Sequence, residues 1–421
     1  MQLIKKNTKK LSGNRSSSHT VLALVGDTQV GLWVVRSLAR NGLTVHAVVH
    51  SRHGQSAHSR FAASAWILDH SPGSKEFIRE LKELARDLGA GSIMPIAESY
   101  HKTLIEHRSE FEPEIHIFSP PKECFEKATD KGYMHSLCKE LKIPVARGGR
   151  LDEIIQQGDI NLRFPLVLRT RRQNLQGGQI APWKAAYAQD KDQLMHLYSQ
   201  VKDIAENVIV QEYHPGVEDH IQILMHNGEA FMYGEYIGIH HMPLAGGVTV
   251  LRESCYHPDL VNDAVRLLKA IDYSGIGGVQ FHLDPKSGKY IFLEINPRFI
   301  GGLPTVIMAG FEAPFLLWQS HFEPNKMKKT RYKLGLRTRI LGGDANWMFG
   351  MIRGDQLPPG EKRLGKIRTI SEFLWHSGPW TRDDSFMLTD PMPFFVDLFQ
   401  MVKKFGSQAF DIIGNPHSQE S

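Results

Sequence analysis

Gly278-Val-Gln-Phe-His-Leu-Asp284, Pro285-Lys-Ser-Gly288 and Tyr290-Ile-Phe-Leu-Glu-Ile-Asn-Pro-Arg298 read as two strands joined by a tight turn. Strand side chains alternate between faces, so Glu294 and Asn296 share one face while Leu293 and Ile295 take the other. Gln280 lies on the neighbouring strand, and three oxygen donors can therefore converge. Hard divalent cations prefer oxygen and are commonly held by one or two carboxylates together with phosphate oxygens. Arg298, two residues past Asn296, is suited to an anionic oxygen. A solitary Glu-x-Asn would more often be the solvated side of a half-buried strand, so its meaning depends on the rest of the chain.

Upstream, Val21-Leu-Ala-Leu-Val25, the turn Gly26-Asp-Thr-Gln-Val-Gly31 and the periodic stretch Leu32 to Arg40 predict strand, turn and helix. Thr44 to Val49 predicts a second strand. Phe77, Ile78, Leu81, Leu84, Ala85 and Leu88 mark a helix ending at Gly89, and Ser92 to Ile96 is a further strand. This alternation predicts a parallel sheet wound with helices, with ligands beyond the strands' carboxyl ends, near Asp27, Thr28, Gln29 and Glu98. The first turn lacks the middle glycine of GxGxxG, which disfavours a dinucleotide. From Pro165 to Arg298 the strands are longer and β-branched, as in an antiparallel α+β body.

Leu-Glu-Ile-Asn-Pro-Arg298 resembles the end of the last two strands in the ATP-grasp superfamily, in particular its carbamoyl-phosphate synthetase large-subunit-like and carboxylate-amine ligase branch. The resemblance covers roughly residues 20 to 320, in the expected order. Asp130-Lys131 is similar to the family's Asp-Lys, which implies Lys131 on the nucleotide phosphates. Phe164-Pro-Leu-Val-Leu-Arg169 implies a second phosphate contact at Arg169, where lysine is usual. Gln176, Gly177 and Gly178 stand where the phosphate-covering loop is expected. Val208-Ile-Val-Gln211-Glu212-Tyr213-His214 is similar to the hinge strand, with Glu212 on the adenine amino group, the backbone at Tyr213 and His214 framing the ring, and Glu218 on the ribose. Gln280, Glu294 and Asn296 would hold two Mg2+ ions, with Mn2+ as a substitute, and Arg298 would meet the transferring group.

The chain is expected to be α/β and α+β: a flexible basic N-terminal tail (1–19), then, as the resemblance implies, a Rossmann-like preATP-grasp parallel sheet (20–121) and a two-lobed ATP-grasp domain (122–324), and an extension without assigned chemistry (325–421), either a cap over the cleft or a homodimer contact. The resemblance further implies an ATP-dependent ligase that joins a small-molecule carboxylate to an amine. The same ATP site would equally serve a carbamoyl-phosphate or carboxylase-type reaction on bicarbonate, or a silent ATP-binding protein.

The remaining residues narrow this. Hydrophobic residues make up 41% of the 421, enough for ordinary cores, and a formal net charge of +5 with interspersed signs gives no nucleic-acid-binding stripe. The cluster Lys326, Lys328, Lys329, Arg331, Lys333, Arg337 and Arg339 reads as a solvated face. No run approaches the ~20 apolar residues of a membrane span, and a cytoplasmic location is expected. Cys124, Cys138 and Cys255 lack CxxC spacing and read as structural thiols. His240-His241, with His220, His226 and His282, shows no zinc-ligand spacing and reads as lining the cleft. Arg252 is a candidate for carboxylate or phosphate contact.

Overall fold

The computed structural model describes residues 1–6, 17–158, 160–170, 181, 183 and 185–414, with side chains described to residue 403. The first sheet contains β1 (Gln2–Lys6), β2 (Thr20–Leu24), β3 (Thr44–Val48), β4 (Ser64–Ile67), β5 (Ser92–Pro95) and β6 (His116–Ile117), in the order β1-β4-β3-β2-β5-β6. All neighbours are parallel except β1, which runs antiparallel along β4 with Gln2 opposite Ile67. Every residue of β2 is buried, as expected of a central strand covered on both faces. Gly26 adopts φ of +55° at the end of this strand, and Thr28 caps helix Gln29–Arg40 by accepting from the Gly31 amide at 3.1 Å.

The basic tail expected over 1–19 is corrected at its start. Residues 2–6 form a strand because the edge of β4 offers unpaired backbone groups, and Lys5 Nζ donates to the Ser59 carbonyl at 2.7 Å.

A four-stranded antiparallel sheet follows, made of β7 (Gly148–Arg150), β8 (Leu166–Thr170), β9 (Ala185–Ala188) and β10 (Val208–Glu212) in the order β7-β10-β8-β9. The largest sheet has β11 (Val217–His226), β12 (Glu229–Met242), β13 (Val248–Cys255), β14 (Gly275–Leu283), β15 (Tyr290–Asn296), β16 (Arg337–Arg339) and β17 (Thr381–Asp383), ordered β15-β14-β11-β12-β13-β16-β17. One face packs Ile221, Ile223, Val279 and Phe281 against Leu260, Leu267 and Leu268 of helix Pro258–Ala270. The apolar spacing of that helix supplies a continuous stripe for this contact.

Residues 337–383 extend this sheet and pack beside it. β16 pairs with β13 and β17 with β16, while helices Leu341–Arg353 and Lys366–Trp375 pack together beside them. Part of the basic cluster is consumed here: Arg337 pairs with Glu253, and Arg339 lies 3.5 Å from Asp344. Among the described residues no helix is long and apolar enough to cross a membrane.

Candidate functional site

The register of the large sheet builds the site. Across β12, β11, β14 and β15, Tyr236 stands opposite His220, His220 opposite Gln280, and Gln280 opposite Glu294. Directly opposed residues point to the same face, so these four side chains form one transverse row away from helix Pro258–Ala270. His220 stacks on Tyr236 with ring centroids 4.7 Å apart, and Gln280 Nε2 lies 2.8 Å from His220 Nδ1. The tyrosine is held in turn, because its hydroxyl accepts from the Gly302 amide at 3.0 Å.

At the far end of the row Asn296 Nδ2 donates to Glu294 Oε1 at 3.1 Å, and Lys131 Nζ lies 3.0 Å from Glu294 Oε2. Lys131 reaches this point as the first residue of helix Lys131–Glu140, whose start is fixed by Asp130 accepting from the amides of Gly132 and Tyr133. Burial pushes the Glu294 carboxyl up, but Lys131, Arg169 and the Asn296 hydrogen bond outweigh it and leave its pKa below the ordinary value. Glu294 is thus an ionised acceptor at neutral pH. Glu218, next to the row, behaves alike: burial raises its pKa, yet His220 at 3.2 Å and His241 at 3.5 Å hold it well below the usual range.

Past β15 the chain turns sharply, with the Arg298 amide donating to the Asn296 carbonyl at 2.8 Å. Fully buried Gln222 fixes that turn from β11: it donates to the Gly277 carbonyl at 2.8 Å and accepts from the Ile300 amide at 2.9 Å. Arg298 is therefore presented from a rigid corner.

A cleft of about 620 Å³ opens over this row. Lys131, Arg169, Tyr213, Glu218, Gln280, Glu294, Asn296 and Arg298 all line it, although they come from four separate stretches of sequence. Tyr187 and Tyr213 form an edge-to-face pair, centroids 5.4 Å apart, on the side of the small sheet. Gly177 and Gly178 lie outside the described residues.

Two expected side-chain contacts, those of Arg252 and Glu212, are directed elsewhere. Arg252 does face the cleft side by register, opposite Gly238 and Thr338, but that end of the sheet is covered by the C-terminal layer. The guanidinium is fully buried and lies 2.7 Å from equally buried Asp384. Glu212 directs its carboxylate to Arg147 and Arg163, at 3.5 and 3.4 Å, rather than into the cleft. Gln211 is a paired residue of β10, opposite Gly148 and Val167. The His214 carbonyl, part of the backbone expected to frame the ring, lies 2.9 Å from His282 Nδ1; burial keeps His282 neutral, with its pKa lowered to about 4.

The C-terminal layer supplies the opposite wall, with Trp347, Met351, Leu357, Glu361, Lys362 and Glu372. Its anchor is His240, whose ring stacks on Trp347 at 3.4 Å while Nδ1 lies 2.7 Å from Asp344 and Nε2 3.2 Å from Glu372. Burial lowers the His240 pKa, but the two carboxylates reverse this and leave it raised. His220 and His241 were legible as histidines two residues past Glu218 and in the His-His pair, but Trp347, Glu361 and Lys362 belong to no local motif. They are brought in by tertiary contacts, the pairing of β16 with β13 and the packing of helix Leu341–Arg353 on β12 and β13.

Residues 205–341 match the family model described as ATP-grasp in the biosynthetic pathway with Ter operon. The chain is 22% identical over 295 residues to a putative urea carboxylase of Emericella nidulans, a match that takes in 66% of this chain and 23% of that protein. It thus spans under a quarter of that relative's length. Biotin carboxylase from Campylobacter jejuni, solved as a beta-gamma-ATP complex, superposes with a TM-score of 0.59 at 15% identity, covering 76% of this chain and 74% of that one. The biotin carboxylase domain of Hydrogenobacter thermophilus 2-oxoglutarate carboxylase, solved with MgADP, ADP and bicarbonate, gives 0.59 at 16% identity over 76% and 73%.

Proposed function

We propose, on the premise that this chain has an ATP-grasp fold, that it binds Mg-ATP in the cleft and spends the γ-phosphoryl group on a small-molecule carboxylate for attack by an amine. The observation that carries this reading is the convergence of Gln280, Glu294 and Asn296 with Lys131 on one sheet face. Two amides and an ionised carboxylate form an oxygen-rich donor set that suits Mg2+ and offers no soft ligand. Magnesium, when bound there, would screen the phosphate charge and align the phosphoryl group.

The chain's own residues account for the rest. Lys131, Arg169 and Arg298 place three cations around the region where negative charge would spread during transfer. Lys131 would leave Glu294 for a phosphate oxygen, exchanging one anionic partner for another. Glu218, kept ionised by its two histidines, would accept from ribose hydroxyls, and Tyr187 and Tyr213 would bound the base. The wall of Trp347 and Met351 would exclude water from an acyl phosphate, which hydrolysis would otherwise waste. An amine attacks the acyl carbon, the C–O bond to phosphate breaks, and inorganic phosphate leaves with the electron pair and takes up the proton that the amine nitrogen loses. No protein nucleophile takes part.

A second reading is favoured by the structural neighbours: bicarbonate as the acid, giving carboxyphosphate by the same first step. Both readings share Mg-ATP binding and differ in the acceptor. Calorimetric titration of wild type and Glu294→Ala with Mg-ATP, with circular dichroism on both, tests the shared step; the reading fails if the variant binds as tightly as wild type. ADP release in panels of small carboxylates with amines, against bicarbonate alone, then separates the two acids.

A further inference from the structure

The face of the large sheet opposite the cleft carries a second group of polar side chains that the nucleotide chemistry does not use. Asp219 on β11, Glu235 on β12 and Cys255 at the end of β13 all point to that face, because their neighbours Glu218, Tyr236 and Ser254 belong to the other parity. Glu235 and Cys255 are directly opposed, and Asp219 is their diagonal neighbour. His257 joins them two residues past Cys255, at the start of helix Pro258–Ala270.

One ligand atom from each of the four lies within 4.8 Å of all the others. His257 Nδ1 is 2.9 Å from Asp219 Oδ2 and 2.8 Å from Glu235 Oε1, while Cys255 Sγ is 3.9 Å from Asp219 Oδ2. The His257 amide donates to the other Glu235 oxygen at 2.8 Å, which fixes that carboxylate's orientation. Asp219 is fully buried and Glu235 is 1% exposed. Independently of the clustering, Asp219 Oδ1 has no hydrogen-bond partner among the described residues. A buried carboxyl oxygen left unsatisfied is costly, and a bound cation would satisfy it.

We propose that Asp219, Glu235, Cys255 and His257 form a binding site for a divalent transition ion of the Zn2+ type, separate from the cleft and structural in role. The donors are two oxygens, one nitrogen and one sulfur, a mixture that suits Zn2+ and is poorly suited to Mg2+ or Ca2+. Metal–ligand distances of about 2.0–2.3 Å place tetrahedral donors roughly 3.3–3.7 Å apart. The thiol and carboxylate are already near that separation, and the imidazole must withdraw from the two oxygens by roughly half an ångström. On binding, Nδ1, Sγ and the Asp219 carboxyl surrender their protons to solvent and the ion takes their place. His257 is 36% exposed and provides the path by which the ion enters. The ion would tie three strands to the start of the helix behind them, stiffening the sheet whose other face carries Glu218 and Gln280. The four residues are scattered over 39 positions of sequence, counted from 219 to 257, with only Cys-x-His local, so spacing alone does not reveal them.

The test uses the full chain purified without chelator, in a Glu294→Gln background that disables the cleft carboxylate. Zn2+ is measured by plasma mass spectrometry after dialysis, and Co2+ is titrated by absorbance. The expected result is one retained Zn2+ per chain, displaced by Co2+ with tetrahedral d–d bands and a near-ultraviolet thiolate-to-cobalt band. That charge-transfer band should vanish in Cys255→Ser, and His257→Ala should lose the retained Zn2+. Absence of retained Zn2+ in the otherwise wild-type chain, or cobalt spectra without a thiolate band, overturns the proposal even if a variant fails to fold.

Discussion

Arg252 and Asp384 give a sharp test of whether the C-terminal layer is held on by a buried ion pair. The guanidinium and carboxylate are 132 residues apart in sequence, both fully buried, and 2.7 Å from each other. The pair is under-satisfied: Arg252 Nε and Nη1 and Asp384 Oδ1 are buried with no partner among the described residues. Removing only the acid in Asp384→Ala strands a buried cation, which costs roughly 3–5 kcal/mol. Replacing both, in Arg252→Met with Asp384→Leu, removes the uncompensated desolvation with the charge, so most of that loss should be recovered and stability should lie within about 2 kcal/mol of wild type. Urea unfolding, followed by tryptophan fluorescence because Trp33 Nε1 donates to the Asp384 carbonyl, reads the stability. Mg-ATP titration well below the unfolding midpoint reads the site. The reasoning is refuted if the double variant is as unstable as Asp384→Ala, or if it is stably folded yet has lost nucleotide binding, which would return Arg252 to the catalytic machinery.

Three further outcomes are expected. A Cβ on Gly302 would overlap the Tyr236 ring, which is already stacked on His220, so Gly302→Ala should cost roughly 1–3 kcal/mol and weaken Mg-ATP binding, both measurable on one purified sample by urea unfolding and calorimetry. His240→Ala deprives Asp344 and Glu372 of their shared imidazole and Trp347 of its stacking partner; hydrogen exchange should rise in helices Leu341–Arg353 and Lys366–Trp375 and stay unchanged in β2 and β3. Burial lowers the pKa of His46 from 6.5 to about 4 in the folded protein, so between those values the unfolded chain binds more protons. The stabilisation is then present above pH 6.5 and is lost as pH falls toward 4, by on the order of 3 kcal/mol, and a folded His46→Gln variant should show a correspondingly shallower pH dependence of the urea midpoint.

The hairpin 278–298 was legible because its information is local: alternation placed Glu294 and Asn296 together, and a turn of the right length laid Gln280 beside Glu294. The winding of the first sheet was legible for the same reason, since each strand and helix declares itself by its own periodicity. Arg252 shows where such reading stops. Its parity on β13 correctly puts it on the cleft side, yet occupancy of that face is decided by β16 and β17, which arrive 85 and 129 positions later, counting from 252 to 337 and 381. Glu212 stops it differently: alternation cannot tell that Arg147 and Arg163 will both claim its carboxylate, the latter from 49 residues away. The wall formed by Trp347 and Glu361 has no periodic signature because it meets the site through tertiary pairing alone. The part of the cleft least written in local sequence is therefore the wall where His240 fixes a tryptophan, over a floor whose row of donors alternation had already set.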